Sequence, residues 1–180
     1  KMSFTQAFAR SSNVAFSSII FDNYASKPGK YIAHLRNLNL DKRTGLEIQG
    51  EPEPFLNHPQ SSTWSQLTLP WLAIGYENQH TPLQLLTAYN GVINDGILVS
   101  PNAVRKVTDA GIVVLDKESD RESKRVCSKE TSDKIKKLTA AVFTEGSARN
   151  VQSSVVTMGG KTGTAQIATK GHYQASKKYN

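Results

Sequence analysis

The sequence predicts a mixed chain of helices and strands, of the α/β (α+β) class. Apolar residues recur at helical spacing in several separate stretches. Two short apolar runs flank Asp109-Ala110-Gly111 and read as a hairpin. A last apolar run passes through Gly159-Gly160 into Lys161 and reads as a strand. With 180 residues the chain is long enough for one domain with a sizeable core.

The elements follow in order. Ser3-Phe4-Thr5-Gln6 has capping-box spacing, with Phe4, Ala7 and Phe8 as an apolar stripe. Ser11-Ser12-Asn13 interrupts that helix, and a second pattern runs from Val14 through Phe16, Ile19 and Ile20. Pro28-Gly29 is expected to break the chain, after which Tyr31, Ile32, Leu35 and Leu38 share a helical face. Residues 41–63 are rich in Gly, Pro, Asp, Glu and Ser and read as an irregular connection. Thr81-Pro82 is a strong helix start: a capping hydroxyl, then proline where its missing N–H costs nothing. Leu85, Leu86, Tyr89, Val92 and Ile93 are expected to form the buried face of this helix, with Gly96 at its end. Val104–Thr108 and Ile112–Asp116 make the hairpin. Residues 117–130 are charged and expected to be exposed. Another helix is expected from near Ser132, with Ile135, Leu138 and Val142 inward and Gly146 as its stop. The final strand is expected to run from Val155 to about Ile167.

Composition narrows the function. The net charge is +7, but the basic residues are scattered in pairs such as Lys124-Arg125, Lys136-Lys137 and Lys177-Lys178. No aromatic residues interleave with them as a base-stacking platform requires, so the charge reads as solvated surface and nucleic acid is not an expected partner. No apolar run approaches the roughly 18 residues of a membrane span. The single cysteine, Cys127, excludes an internal disulfide. Residue 1 already lies in a helical pattern, so the ends read as cuts within a longer chain.

Two short motifs carry chemistry. Ser11-Ser12-Asn13 sits between two helical patterns, where serine and asparagine are common caps, and means little alone. Lys161-Thr162-Gly163-Thr164, preceded by Gly159-Gly160 on an expected strand, is more specific. Glycines there suit a ligand laid along the strand, since side chains would block it. A phosphate-binding loop is the competing reading of Gly-Lys-Thr. It needs a glycine at position 155, which is Val155, and a helix after Thr162, where Gly163-Thr164 stands instead.

Together these motifs resemble two of the three signatures of penicillin-recognising serine acyltransferases. The third, Ser-x-x-Lys, occurs nowhere in the chain. The chain resembles the transpeptidase domain of class B penicillin-binding proteins, and the likeness runs through most of its length. Thr44-Gly45-Leu46 ahead of Gly50-Glu51 is similar to a family segment. So are Ile74-Gly75-Tyr76 with Thr81-Pro82-Leu83-Gln84, and Gly159 through Gln166. Within the family the chain looks more like the septal, cell-division type than the elongation type.

The resemblance implies a mainly antiparallel sheet with helices on both sides and a helical lobe. Residues 1–180 would be a partial transpeptidase domain, the C-terminal part of the catalytic domain, cut at both ends. The implied reaction is acyl transfer: a serine attacks the D-Ala–D-Ala bond of a peptidoglycan stem peptide, and the acyl group passes to an amine of a neighbouring stem. β-Lactams would trap the acyl-enzyme. The implied catalytic residues are Ser11, as proton relay, Asn13, as amide donor to the substrate, and Lys161, as the charge that polarises Ser11. Thr162, Gly163 and Thr164 would bind substrate: the threonine hydroxyls take its carboxylate, Gly163 leaves it room, and the Thr164 N–H is an oxyanion donor. The nucleophile, its general base and the second oxyanion donor would lie outside this sequence. No cofactor or metal is implied. The implied partners are stem peptides, β-lactams and cell-division proteins. A membrane anchor would lie upstream, with the catalytic domain outside the cytoplasm. A non-catalytic penicillin-binding scaffold, a β-lactam sensor or a β-lactamase relative would carry the same Lys-Thr-Gly and stands as the alternative.

Overall fold

The computed structural model describes residues 1–117, 122–169 and 172–179, the stretches 166–169 and 172–179 by their backbone only. The chain divides into two compact units, residues 1–12 with 136–180, and residues 13–135. The described strands form four separate two-stranded ladders, each antiparallel.

The first unit opens with α1 (Phe4–Ala9). Its start is the expected capping box: Ser3 Oγ accepts from the Gln6 N–H at 3.2 Å, and Gln6 Oε1 accepts from the Ser3 N–H at 3.0 Å. Ala7 and Ala9 are buried, whereas Phe4 is exposed. Residues 136–144 of α6 (Lys129–Thr144) belong to this unit and bury Thr139, Ala141 and Val142. A short 3-10 turn at Arg149–Val151 follows. The ladder of β7 (Ala165–Thr169) and β8 (His172–Tyr179) closes the unit. The expected strand from Val155 is shorter than read: residues 152–164 are irregular and the strand begins at Ala165. A strand is defined by its ladder, and the Gly160 N–H goes instead to the Thr139 carbonyl of α6, at 3.2 Å.

The second unit begins with α2 (Asn13–Tyr24), which touches α3 (Pro28–Asn37) and α4 (Thr68–Leu72). The break between α2 and α3 falls at residues 25–27, just ahead of Pro28. Pro28 is the first residue of α3, the position where proline suits a helix. Ile32 of α3 is buried, with Leu69 and Leu72 of α4. Residues 41–63 are irregular apart from the two-residue strand β1 (Phe55–Leu56), paired with β2 (Asn78–Gln79).

Helix α5 (Pro82–Ile93) starts as read, with a capping box between Thr81 and Gln84. Its buried face is not the bulky apolar one. Gln84, Thr87, Ala88 and Gly91 are buried, while Leu85, Leu86, Tyr89 and Ile93 are exposed. The cause is the close approach of β3 (Ile97–Val99): a Cβ on Gly91 would lie 2.7 Å from Leu98 Cβ. Large side chains on that face would push the strand away. β3 pairs with β6 (Ser123–Arg125). The hairpin of β4 (Lys106–Asp109) and β5 (Ile112–Asp116) turns on Ala110-Gly111. Both turn residues have positive φ, 47° and 83°, which matches the twist of antiparallel strands. Helix α6 begins before Ser132, at Lys129, because the Ser128 hydroxyl caps it by accepting the Thr131 N–H at 3.1 Å.

Candidate active site

Helix α1 ends in a way that sets Ser11 apart. The Ser11 N–H donates to the Phe8 carbonyl at 3.0 Å, and the Ser12 N–H to the Ala7 carbonyl at 2.9 Å. This is the paired-bond helix end in which the residue past the cap turns left-handed. That residue is normally glycine, and here it is Ser11, with φ of 55°. The side chain of Ser11 is thereby turned out of the helix at a fixed point just beyond its last turn.

Lys161 reaches that point from the other end of the sequence. Its Nζ donates to Ser11 Oγ at 2.6 Å and to the Thr162 carbonyl at 2.9 Å. Burial holds the Lys161 ammonium below the ordinary lysine range. An ammonium donates only, so Ser11 Oγ must accept, and the Ser11 proton is left free to point elsewhere. The arrangement is a hydroxyl whose oxygen faces a cation, which favours release of its proton to a third group.

The glycines around Lys161 divide into two kinds. A Cβ on Gly159 would meet Thr139 Oγ1 at 2.9 Å, and one on Gly160 would meet the Phe143 ring at 3.2 Å. At these two positions α6 already fills the space a side chain would take. Gly163 is different: nothing stands within 4 Å of its Cβ position. Thr162, Gly163 and Thr164 are all exposed. Asn13 is the first residue of α2 and belongs to the second unit.

One further residue joins Thr162. The Ser147 hydroxyl is hydrogen-bonded to that of Thr162, and the Ser147 N–H donates to the Ala9 carbonyl at 3.0 Å. Gly146 beside it reads in sequence as an ordinary helix stop. Nothing local marks Gly146-Ser147 as more than a turn.

A family model described as the penicillin-binding protein transpeptidase domain matches residues 1–180. Penicillin-binding protein PbpB of Mycobacterium tuberculosis is 30% identical over 174 residues, which are 93% of this chain and 25% of that protein. Stage V sporulation protein D of Bacillus subtilis is 30% identical over 146 residues, 80% of this chain and 22% of that protein. The chain thus spans about a quarter of the length of these curated relatives. Among solved structures, penicillin-binding protein 3 of Mycobacterium tuberculosis in complex with aztreonam is similar, with a TM-score of 0.84 and 27% identity. The similarity covers 97% of this chain and 40% of that one. The transpeptidase domain of penicillin-binding protein 3 from Burkholderia pseudomallei shares the fold, with a TM-score of 0.80 and 21% identity.

Proposed function

The chain belongs to the penicillin-binding protein transpeptidase family, of the class B kind, and from that premise we propose that it carries one wall of a serine acyl-transfer site. The observation that carries the proposal is the 2.6 Å hydrogen bond from Lys161 to Ser11, made across 150 residues of sequence. The parent protein would be a peptidoglycan D,D-transpeptidase, and residues 1–180 a part of its catalytic domain.

In the proposed reaction a serine hydroxyl, supplied outside these residues, gives its proton to a general base that also lies outside them and attacks the carbonyl of the D-Ala–D-Ala bond. The oxyanion that forms is met by the Thr164 N–H and a second donor elsewhere. Ser11 passes a proton to the departing D-Ala nitrogen and takes in its place the one held by the general base, and the C–N bond breaks to leave an acyl-enzyme. Lys161 supports that transfer by facing the Ser11 oxygen with positive charge. The Thr162 and Thr164 hydroxyls hold the terminal carboxylate, and Asn13 donates its amide to the substrate's side-chain carbonyl. The amine of a second stem peptide then takes the acyl group. A β-lactam stops at the acyl stage. The septal role, with cell-division partners and a catalytic domain held outside the cytoplasm, belongs to the same proposal and rests on the sequence resemblance.

The test is acylation by a fluorescent penicillin. The parent protein is expected to label stoichiometrically, and the 180-residue chain alone not at all. Labelling of the short chain at any of its own serines, mapped by mass spectrometry, would place the nucleophile within it and overturn the proposal. In the parent, Lys161→Ala is expected to slow acylation by about 10²-fold or more. Thr164→Ala keeps its N–H and loses only a carboxylate contact, so a fall of roughly ten- to a hundredfold is expected. Acylation without any stem-peptide cross-linking would assign the parent to the sensor or scaffold class instead.

A further inference from the structure

The turn after α6 ties together the two segments that carry Ser11 and Lys161. At Gly146 the chain runs against α1: an added Cβ would lie 2.3 Å from the Ala9 carbonyl oxygen and 2.8 Å from Val142 Cα. Both are backbone atoms, so neither can swing aside. The next residue, Ser147, donates its N–H to that same Ala9 carbonyl at 3.0 Å. The Ala148 N–H returns to the Val142 carbonyl at 3.0 Å, which holds the turn to the helix. Ala9 lies two residues before Ser11. The Ser147 hydroxyl bonds that of Thr162, next to Lys161. One residue thus grips the Ser11 segment by its backbone and the Lys161-Thr162 segment by its side chain.

We propose that Ser147 is a positioning residue that fixes the Thr162 hydroxyl to receive the carboxylate of a stem peptide or β-lactam. The proposal rests on the transpeptidase reading above. A threonine hydroxyl left alone samples three rotamers, and only some direct it at a bound carboxylate. The Ser147 bond selects among them before the ligand arrives, so less freedom is lost on binding. Ser147 and Thr162 are both exposed, so a ligand can reach the pair. The hydroxyl of Ser147 can accept the Thr162 proton or donate its own. Donating leaves the Thr162 proton for the carboxylate, and that is the arrangement an anion selects.

The experiment uses the full-length parent protein and separates the pre-covalent dissociation constant from the acylation rate constant for a carboxylate-bearing β-lactam. Ser147→Ala is expected to weaken pre-covalent binding about two- to tenfold, the range of one net hydrogen bond, with the acylation step changed by less than about twofold. Ser147→Thr, which keeps the hydroxyl, is expected to restore binding. Ser147→Cys keeps the volume with a poorer hydrogen bond and is expected to shift binding in the direction of Ser147→Ala, so the proposal stays testable should the alanine variant fail to fold. With the methyl ester of the same β-lactam, which has no carboxylate, Ser147→Ala is expected to bind as the unsubstituted protein does. Unchanged binding in Ser147→Ala and Ser147→Cys overturns the proposal, as does an equal loss with acid and ester or a failure of Ser147→Thr to restore. If the unsubstituted parent is acylated and Lys161→Ala is not, those outcomes remove the role of Ser147 alone. If the unsubstituted parent is never acylated, the transpeptidase reading falls and this proposal with it.

Discussion

Ser11 occupies a backbone position that glycine would hold at lower cost. Its φ of 55° sets the Cβ of an L-residue against its own carbonyl, an expense of about 1–2 kcal/mol. Backbone strain of this kind collects where a side chain is needed for something other than stability. In the proposed reaction the hydroxyl that takes the Lys161 hydrogen bond is such a need. Comparing Ser11→Gly with Ser11→Ala separates the two demands. Both remove the hydroxyl, so both are expected to lose acylation in the parent protein, by about 10²-fold or more. Only glycine relieves the backbone, so Ser11→Gly is expected to be more stable than Ser11→Ala by about 1 kcal/mol. Thermal unfolding of the two variants measures this. Equal stability would mean that the left-handed turn carries no strain.

At the scale of elements, caps and turns hold the pieces. Gln84 serves two of them at once. Its Oε1 caps α5 by accepting the Thr81 N–H at 2.8 Å, and its Nε2 donates to Glu51 Oε1 at 3.1 Å. Glu51 in turn accepts from the Thr44 N–H at 3.0 Å and from the Thr44 hydroxyl at 2.9 Å. The irregular connection is thereby pinned to the start of a helix by one carboxylate. Burial pushes the Glu51 pKa up, but the Thr44 and Gln84 donors outweigh it and leave the group below the ordinary carboxylate range. A lowered folded-state pKa means stability that is present above the unfolded value and lost as pH falls through the folded one. Glu51→Gln is therefore expected to lower the thermal midpoint near neutral pH, with the gap to the unsubstituted sequence closing as pH falls through the ordinary carboxylate range and below it. A gap that stays constant with pH would show that packing, not charge, is what Glu51 supplies. The hairpin offers a test of opposite sign. Ala110 has φ of 47° at a turn position that favours asparagine or glycine, so Ala110→Asn is expected to stabilise by roughly 0.5–1 kcal/mol, read from denaturant unfolding.

At the scale of the molecule, the apolar surface is the informative quantity. Helix α2 carries Val14, Phe16, Ile19, Ile20 and Phe21 yet buries none of its residues, and Val14 is 78% exposed. Leu86 of α5 is 65% exposed, and Val155 ahead of Lys161 is 88% exposed. Exposed apolar patches promote association. The 180-residue chain in isolation is expected to self-associate as its concentration rises, seen as growth in mass by light scattering, while the complete domain of the parent stays at constant mass. A short chain that remains monomeric at every concentration would contradict this. No described helix is long and apolar enough to cross a membrane.

What the sequence determined by itself is what local chemistry controls. The capping box of Ser3 and Gln6, the start of α5 at Thr81-Pro82 and the hairpin turn at Asp109-Ala110-Gly111 each depend on residues within about four positions of one another. The motif content of Ser11-Ser12-Asn13 and Lys161-Thr162-Gly163-Thr164 was legible for the same reason. Tertiary structure decided the rest. Periodicity put the large residues of α5 inside, but the close approach of Leu98 to Gly91 put the small ones there. The apolar residues from Val155 suggested a strand, but a strand needs a ladder partner, and Gly160 bonds a helix instead. Gly159 and Gly160 are read from the sequence as glycines that keep a strand clear, and the fold adds that α6 occupies their Cβ positions. Gly146-Ser147 suggested only a helix stop. It joins Ala9 to Thr162 because chain segments distant in sequence meet there, and no spacing rule encodes a meeting that depends on the folded path of the whole unit.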